Sequence, residues 1–276
     1  MTTIKNMPLS GKIGGFIVAV VFVLAALSFI WTPFDPVQAF PQERLEGSSL
    51  RHLLGTDRYG RDVLSQIMVG SRVTLLVGII AVAIAALIGT PLGIAAGMRR
   101  GMVETFVIRG ADLMLAFPAL LLAIISGAVF GASTWSAMVA IGIAGIPSFA
   151  RVARAGTLQV TSQDFIAAAR LSKVSSARIA LRHILPNITS ILIVQASVAF
   201  ALAILAEAAL SFLGLGTTPP DPSWGHMLQT AQASIGVTPM LAVWPGAAIA
   251  LTVLGFNLFG DGLRDASDPK REVGRA

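Results

Sequence analysis

Between Val73 and Met98 the chain runs through an uninterrupted apolar stretch that holds no charged residue. About 20 consecutive apolar residues are enough for a helix to cross a bilayer. The same pattern returns in Gly14–Trp31, Phe106–Phe130, Trp135–Ala150, Ile188–Leu213 and Met240–Phe259. These six runs predict an all-α integral membrane protein with six transmembrane helices. Pro118 and Pro147 are expected to kink the third and fourth. Composition agrees: 55% of the residues are hydrophobic and 12% charged, with a mean hydropathy of +0.78. Soluble domains carry about 25% charged residues.

The first run also has the look of a signal peptide, with Val37-Gln38-Ala39 as a passable cleavage site. It is longer than the roughly 7–15 apolar residues of such a segment, which favours a retained span. The net charge of +6 raises the question of nucleic acid. The basic residues, however, cluster between apolar runs, as membrane topology demands, and no zinc-finger spacing or aromatic-basic pattern accompanies them. With no cysteine, disulfides and thiolate metal sites are excluded.

Six spans place both termini on one side. Fifteen of the twenty Lys and Arg residues fall in the segments that an N-in, C-in topology puts in the cytosol, and five (Arg44, Arg51, Arg58, Arg61 and Arg72) fall outside. The organisation follows: residues 1–12, a cytosolic N-terminus; 13–72, the first transmembrane helix and an extracytoplasmic segment; 73–262, the main transmembrane domain; and 263–276, a cytosolic tail.

A polar island, DFIAAARLSKVSSARIALRHILP (164–186), interrupts the apolar runs on the cytosolic side. It reads as two short helices joined by a turn. Phe165, Ala168, Ala169 and Ser172 share one face, and small residues there permit close approach of another backbone. Ser175-Ser176 can cap the second helix, whose Arg178 and Arg182 are an i,i+4 pair. Pro186 restricts the chain before the next span. Such an island is either a solvated loop or a handle for a cytosolic partner.

On the other side, Asp57, Arg61 and Asp62 can form a local ion-pair set. Gly55 and Gly60 permit tight turns, and Asp57 is a plausible N-cap for the second span. Arg109 and Asp112 are three apart on one helix and can pair. Pro219-Pro220 precede Ser223-Trp224-Gly225, a loop with a Trp expected at the membrane interface. Glu207 is the only acidic residue deep in an apolar run, with Ser211 one turn on. A carboxylate there must face protein or water. It lines or gates a pathway, or it is an ion-paired or protonated packing group. His52, His183 and His226 lack metal-ligand spacing. The chain has no P-loop motif and no nucleophile-His-Asp constellation.

Several segments carry a family resemblance. HLLGTDRYGRDVLSQIMVGSRVTLL (52–76), ILAEAALSFLGLGTTPPDPSWGHML (204–228) and NLFGDGLRDASDP (257–269) resemble, in order and spacing, the ABC importer permeases of the dipeptide/oligopeptide/nickel family. The similarity is greatest to the second permease of their heterodimer. The island is similar to their cytosolic coupling loop, whose pattern is Glu-Ala-Ala, three residues, Gly, and a later Ile-x-x-Pro-like run. Here these positions hold Ala167-Ala168-Ala169, Lys173 and Ile184-Leu185-Pro186, so the Glu and the turn Gly are replaced.

The resemblance implies a bacterial inner-membrane permease subunit that is not itself an ATPase. Its implied partners are a second permease, two cytosolic ATPases that bind ATP and Mg, an extracytoplasmic binding protein and membrane lipid, without nucleic acid. Asp164, Phe165, Ala167, Ala168, Ala169, Lys173, Arg178 and Pro186 would form the ATPase coupling surface. Gly55, Thr56, Asp57, Gly60, Arg61 and Asp62 would form a structural motif near the binding-protein surface. Peptides are the implied cargo, with nickel, opines and glutathione-like solutes as alternatives. A stand-alone secondary transporter is the distant alternative, resting on Glu207 alone, and a passive membrane anchor another.

Overall fold

The computed structural model describes residues 7–266. The expected charges at Lys5, Asp268, Lys270, Arg271 and Arg275 lie outside that range. The chain forms α1 (Leu9–Ser28), α2 (Val63–Met98), α3 (Met102–Ala116), α4 (Ala119–Phe130), α5 (Thr134–Thr161) and α6 (Asp164–Leu171). There follow α7 (Ser176–Ile179), a π-helical turn (Ala180–Ile184), α8 (Leu185–Phe212), α9 (Trp224–Ala231) and α10 (Met240–Ala266). Among the described residues the only β pairing is an isolated bridge between Thr56 and Asp62. The all-α architecture therefore stands.

Five helices are long and apolar enough to cross a membrane, and α3 with α4 make a sixth if that bent pair is one span. The two meet at a 79° bend, far sharper than the expected kink. Pro118 is the N-cap of α4, and its missing N–H ends the first helix rather than bending it.

The most extensive interface joins α2 to α5, and glycine makes it. Gly89, Gly93 and Gly97 recur one turn apart along α2. A Cβ on Gly89 would stand 2.5 Å from the Ile146 carbonyl oxygen. One on Gly93 would strike the Ala150 carbonyl, and one on Gly97 would lie 2.6 Å from Thr157 Cγ2. In return, a Cβ on Gly142 of α5 would lie 2.8 Å from Ile84 of α2. Between helices in lipid there is no hydrophobic drive, so close backbone approach supplies the van der Waals contact that holds them. The same device joins α1 to α10, where Gly11 meets Gly262 and Gly14 meets Gly255 and Phe259.

Several helices overrun their expected ends. α2 begins ten residues early, so Arg72 lies inside it. The guanidinium donates to Ser28 Oγ at 2.6 Å and to the Ser28 carbonyl, and stands 4.0 Å over the Phe29 ring. A cation at the carbonyl end of α1 satisfies groups that helix cannot pair itself. α5 continues through Arg151 and Arg154 to Thr161, with Pro147 inside it. Both arginines are paired across to α3: Arg154 Nε donates to Glu104 Oε1 at 2.8 Å, and Arg151 donates to Asp112 Oδ1. The expected Arg109–Asp112 pair is not formed, because Asp112 faces α5 while Arg109 is exposed. The segment expected as an irregular loop after residue 213 contains α9. Trp224 in it is buried rather than exposed at an interface, and its Nε1 donates to the Ile67 carbonyl at 3.0 Å.

A side chain at Gly93 should separate α2 from α5. Gly93→Val is expected to cost ~1–3 kcal/mol by overpacking and to lower the thermal unfolding midpoint in detergent by several degrees. Gly110→Ala on α3, where a Cβ meets nothing within 4 Å, should leave the midpoint unchanged or slightly raised. Equal midpoints for Gly93→Val and the parent would contradict the glycine seam.

Candidate functional site

The polar island folds as expected into two short helices, and its anchoring comes from residues that sequence reasoning passed over. Ile166, Ile179 and Ile184 are fully buried and pack with Ile94, Ala153, Val160 and Ile188 at one end of the bundle. Their spacing on the polar helices was the available signal. With the isoleucines turned inward, Asp164, Phe165, Ala167, Ala168, Leu171 and Arg178 are exposed, and Ala169 is half-buried. Phe165 retains 45% of its surface and Leu171 85%. Thus Phe165, Ala168 and Ser172 do share an outward face, and Ala169 is turned partly toward the bundle. Asp164 sits in the first turn of α6 and Arg170 in the last, both favourable to the helix dipole.

The turn between α6 and α7 has the geometry that a glycine would serve. Lys173 has φ +57°. Its N–H donates to Arg170 O at 3.0 Å, and that of Val174 reaches back to Ala169 O at 3.1 Å. These two bonds make a Schellman motif, with Lys173 at the left-handed position usually taken by Gly. Ser175 then caps α7 by accepting from Arg178 N at 3.4 Å. From α7 the helical path continues through the π-helical turn into α8, with Pro186 in its first turn. Pro186 donates no backbone hydrogen bond and its ring crowds the preceding turn, and the wider π turn takes up the mismatch.

At the start of α2, the segment from Gly55 to Asp62 is tied into a compact knot. Gly55 and Gly60 have φ +79° and +81°. A Cβ on Gly60 would fall on the Phe40 carbonyl. Thr56 Oγ1 accepts from Glu46 N at 2.9 Å and donates to Glu43 O. Asp57 is spent on its own turn: Oδ1 accepts from Tyr59 N at 2.8 Å and Arg61 N at 3.0 Å, and Oδ2 pairs with the Arg61 guanidinium at 2.7 Å.

The N-cap of α2 is therefore Asp62, not Asp57. Asp62 Oδ2 accepts from Ser65 N and Ser65 Oγ, both at 2.7 Å. Asp62 takes no part in the expected set with Arg61. Its other oxygen meets Nδ1 of His52 at 2.9 Å. His52 is completely buried, with Nε2 3.2 Å from Glu43 Oε2 and its ring 4.5 Å from that of Phe34. The contributions of His52 and Glu43 come from outside the motif and could not be read from its spacing. Nearby on α9, burial pushes the His226 imidazole below the ordinary histidine range. Its bond to Gln229 opposes this, and the charges of Arg61 and Arg58 add to it.

Glu207 is 1% exposed. Its Oε1 accepts from Ser211 Oγ at 2.7 Å, and that hydroxyl accepts in turn from Thr217 N at 3.0 Å. Oε2 is buried without a hydrogen-bond partner among the described residues. α9 lies close above: a Cβ on Gly225 would strike the Ala208 carbonyl. Through Ser211 the carboxyl is thus linked to the 213–223 loop, and α9 packs on α8 at Gly225.

Three separate clusters result: the outward helix pair, the knot before α2, and the Glu207 post. Among the described residues, none of the three contains a nucleophile-base pair or a phosphate cradle. A family model for "Binding-protein-dependent transport system inner membrane component" matches residues 89–273. The dipeptide transport system permease protein DppC of Alkalihalophilus pseudofirmus is 42% identical over 257 residues, spanning 93% of this chain and 84% of that protein. The glutathione transport system permease protein GsiD of Pectobacterium atrosepticum is 43% identical over 91% of this chain and 84% of its own length. The di/tripeptide transport system permease protein DppC of Pseudomonas aeruginosa is 41% identical over 94% and 88%. Among solved structures, a chain of the MetNI methionine ABC transporter, in inward-facing conformations, superposes with a TM-score of 0.58. It covers 74% of this chain and 97% of that one at 16% identity, a likeness of fold. With helices, motifs and relatives in agreement, this chain belongs to the binding-protein-dependent transport system inner membrane components, as an ABC importer permease.

Proposed function

We propose that the chain is one permease of a heterodimeric, ATP-driven importer of short peptides in the bacterial inner membrane. Both termini and the α6–α7 pair lie in the cytosol, which the excess of Lys and Arg on that side supports. The observation that carries the mechanism is the division of the helix pair. Three buried isoleucines root it in the bundle, while Phe165, Ala168 and Leu171 face outward at a polar end. A partner ATPase gripping that outward face would move the bundle, because the root transmits force to α5 and α8. ATP and Mg are bound by the ATPases, and this chain supplies only the surface they push. Rocking of the helices between inward- and outward-facing states follows the alternating access of other transporters.

The knot at Gly55–Asp62 sits on the opposite side and fixes the start of α2 there, where a binding protein delivers cargo. Glu207 and Ser211 hold the loop above. The named relatives handle dipeptides, di- and tripeptides, and glutathione, which support a short peptide as the common chemical class. Nickel and opines draw no support from them.

The assembled complex tests this. Ala168→Trp, on an exposed face, should leave the chain folded. It should lower ATP hydrolysis stimulated by the binding protein, and dipeptide uptake in step with it, by roughly tenfold. Unchanged hydrolysis and uptake would remove α6 from the coupling path. Uptake of labelled dipeptide, with glutathione and nickel as competitors, reads the cargo, and competition by nickel alone would overturn the peptide assignment.

Lys173→Gly relieves a left-handed residue that costs an L-amino acid roughly 1–2 kcal/mol. Greater freedom of the unfolded chain offsets part of that gain. The variant should therefore be as stable as the parent or slightly more so, with stimulated hydrolysis retained. Loss of hydrolysis in a folded Lys173→Gly protein would show that the ammonium group itself touches the ATPase.

A further inference from the structure

A groove of about 580 Å³ opens between the last turns of α2 and the α6–α7 pair. Apolar side chains make up most of its lining, with Ile94, Ala95 and Met98 of α2 on one element and Ala177 and Leu185 on the others. Thr90 and Arg99 of α2 and Arg170 of α6 line the same groove, and Arg99 is the C-cap of α2. The nine helical steps from Thr90 to Arg99 set a length of about 13 Å at the α-helical rise. Both arginines are exposed, and among the described residues neither forms an ion pair. This sets them apart from Arg151 and Arg154 on the neighbouring helix, which are matched to carboxylates. The groove therefore offers a hydrocarbon slot topped by two unmatched cations at the end of a span.

We infer that this groove is a binding site for an anionic phospholipid of the cytosolic leaflet, with one acyl chain in the slot and the phosphate between Arg99 and Arg170. The pairing of charges decides the occupant. The cytosolic leaflet is the anionic one, and basic pockets between helices on that side suit acidic head groups. A peptide cargo would need partners for its own amide groups along the wall, which apolar side chains do not supply. The inference rests on the cytosolic placement of the helix pair and on no property of transport. Lipid so placed would fill the gap between a main span and the coupling helices, and so stiffen the joint through which force passes.

The test uses the full chain, purified in detergent, with phosphatidylglycerol and phosphatidylcholine of matched acyl chains as probes. Native mass spectrometry reads the lipid retained. The parent should keep phosphatidylglycerol about tenfold better than phosphatidylcholine, in line with two arginines near a membrane surface. Arg99→Gln/Arg170→Gln should reduce the preference to within about twofold of unity. Arg109→Gln removes an exposed charge outside the groove and should leave the preference intact. An equal loss there would mean bulk charge attraction and overturn the site. Ala177→Phe fills the slot without changing charge and should displace the lipid as effectively as the arginine pair. Full retention in that variant would show a head group held without a chain in the groove, and the inference would fail. Retention by the isolated chain but not by the assembled transporter would assign the groove to a neighbouring subunit instead. Failure of dipeptide uptake would bear on cargo and leave this measurement untouched.

Discussion

The close seam between α2 and α5 is the contact on which the other parts depend. In a lipid solvent apolar side chains gain nothing by leaving their surroundings, so the helices hold together through surface fit. Glycine at every fourth position from Gly89 to Gly97 of α2 brings the two backbones nearly into touch. From that seam the rest is hung. α5 carries α6 directly at its end, and its arginines hold α3 through Glu104 and Asp112. α2 begins in the Gly55–Asp62 knot and ends beside the helix pair. Two faces of the molecule are thereby connected through one rigid pair of helices.

Charge is used sparingly, in two ways: to tie the segment before α2 and to fix one helix against another. Arg72 closes the carbonyl end of α1, while Arg151 and Arg154 brace α3. The span of α3 and α4 is broken, its two halves diverging by 79°. The arginines brace the first half, and Ala123 of the second packs with Ala137, Ala140 and Leu210. The Asp57, Asp62 and Glu207 carboxyls are likewise committed to internal hydrogen bonds.

Much of this was legible in the sequence, for physical reasons. Six apolar runs of this length predict spans, and the order of three motifs pointed to the family. Helix ends were harder. Hydropathy marks where a helix meets lipid, not where its hydrogen bonds stop, so residues 63–72 and 151–161 were missed as helix. Asp57 was the expected cap of α2, but the helix starts later than that and Asp62 holds the position. Pairings between distant segments, such as His52 with Glu43 or Arg154 with Glu104, leave no periodic trace. At Lys173 the sequence shows only that the turn Gly is replaced, and it does not say whether the turn has moved. The Schellman bonds hold Lys173 at the left-handed position.

The unbroken path from α7 through the π turn into α8 has a geometric consequence. Residues 176–212 act as one shaft of 37 residues. At the α-helical rise its length is about 55 Å. A tilt of about 10° at the Ile179 end would sweep the Phe212 end sideways by roughly 10 Å at that length. That far end is where Glu207 and Ser211 grip the loop and α9. A nudge at the foot of the shaft is thus magnified at its head, and the loop, α9 and their anchoring carboxyl must travel together as its passenger.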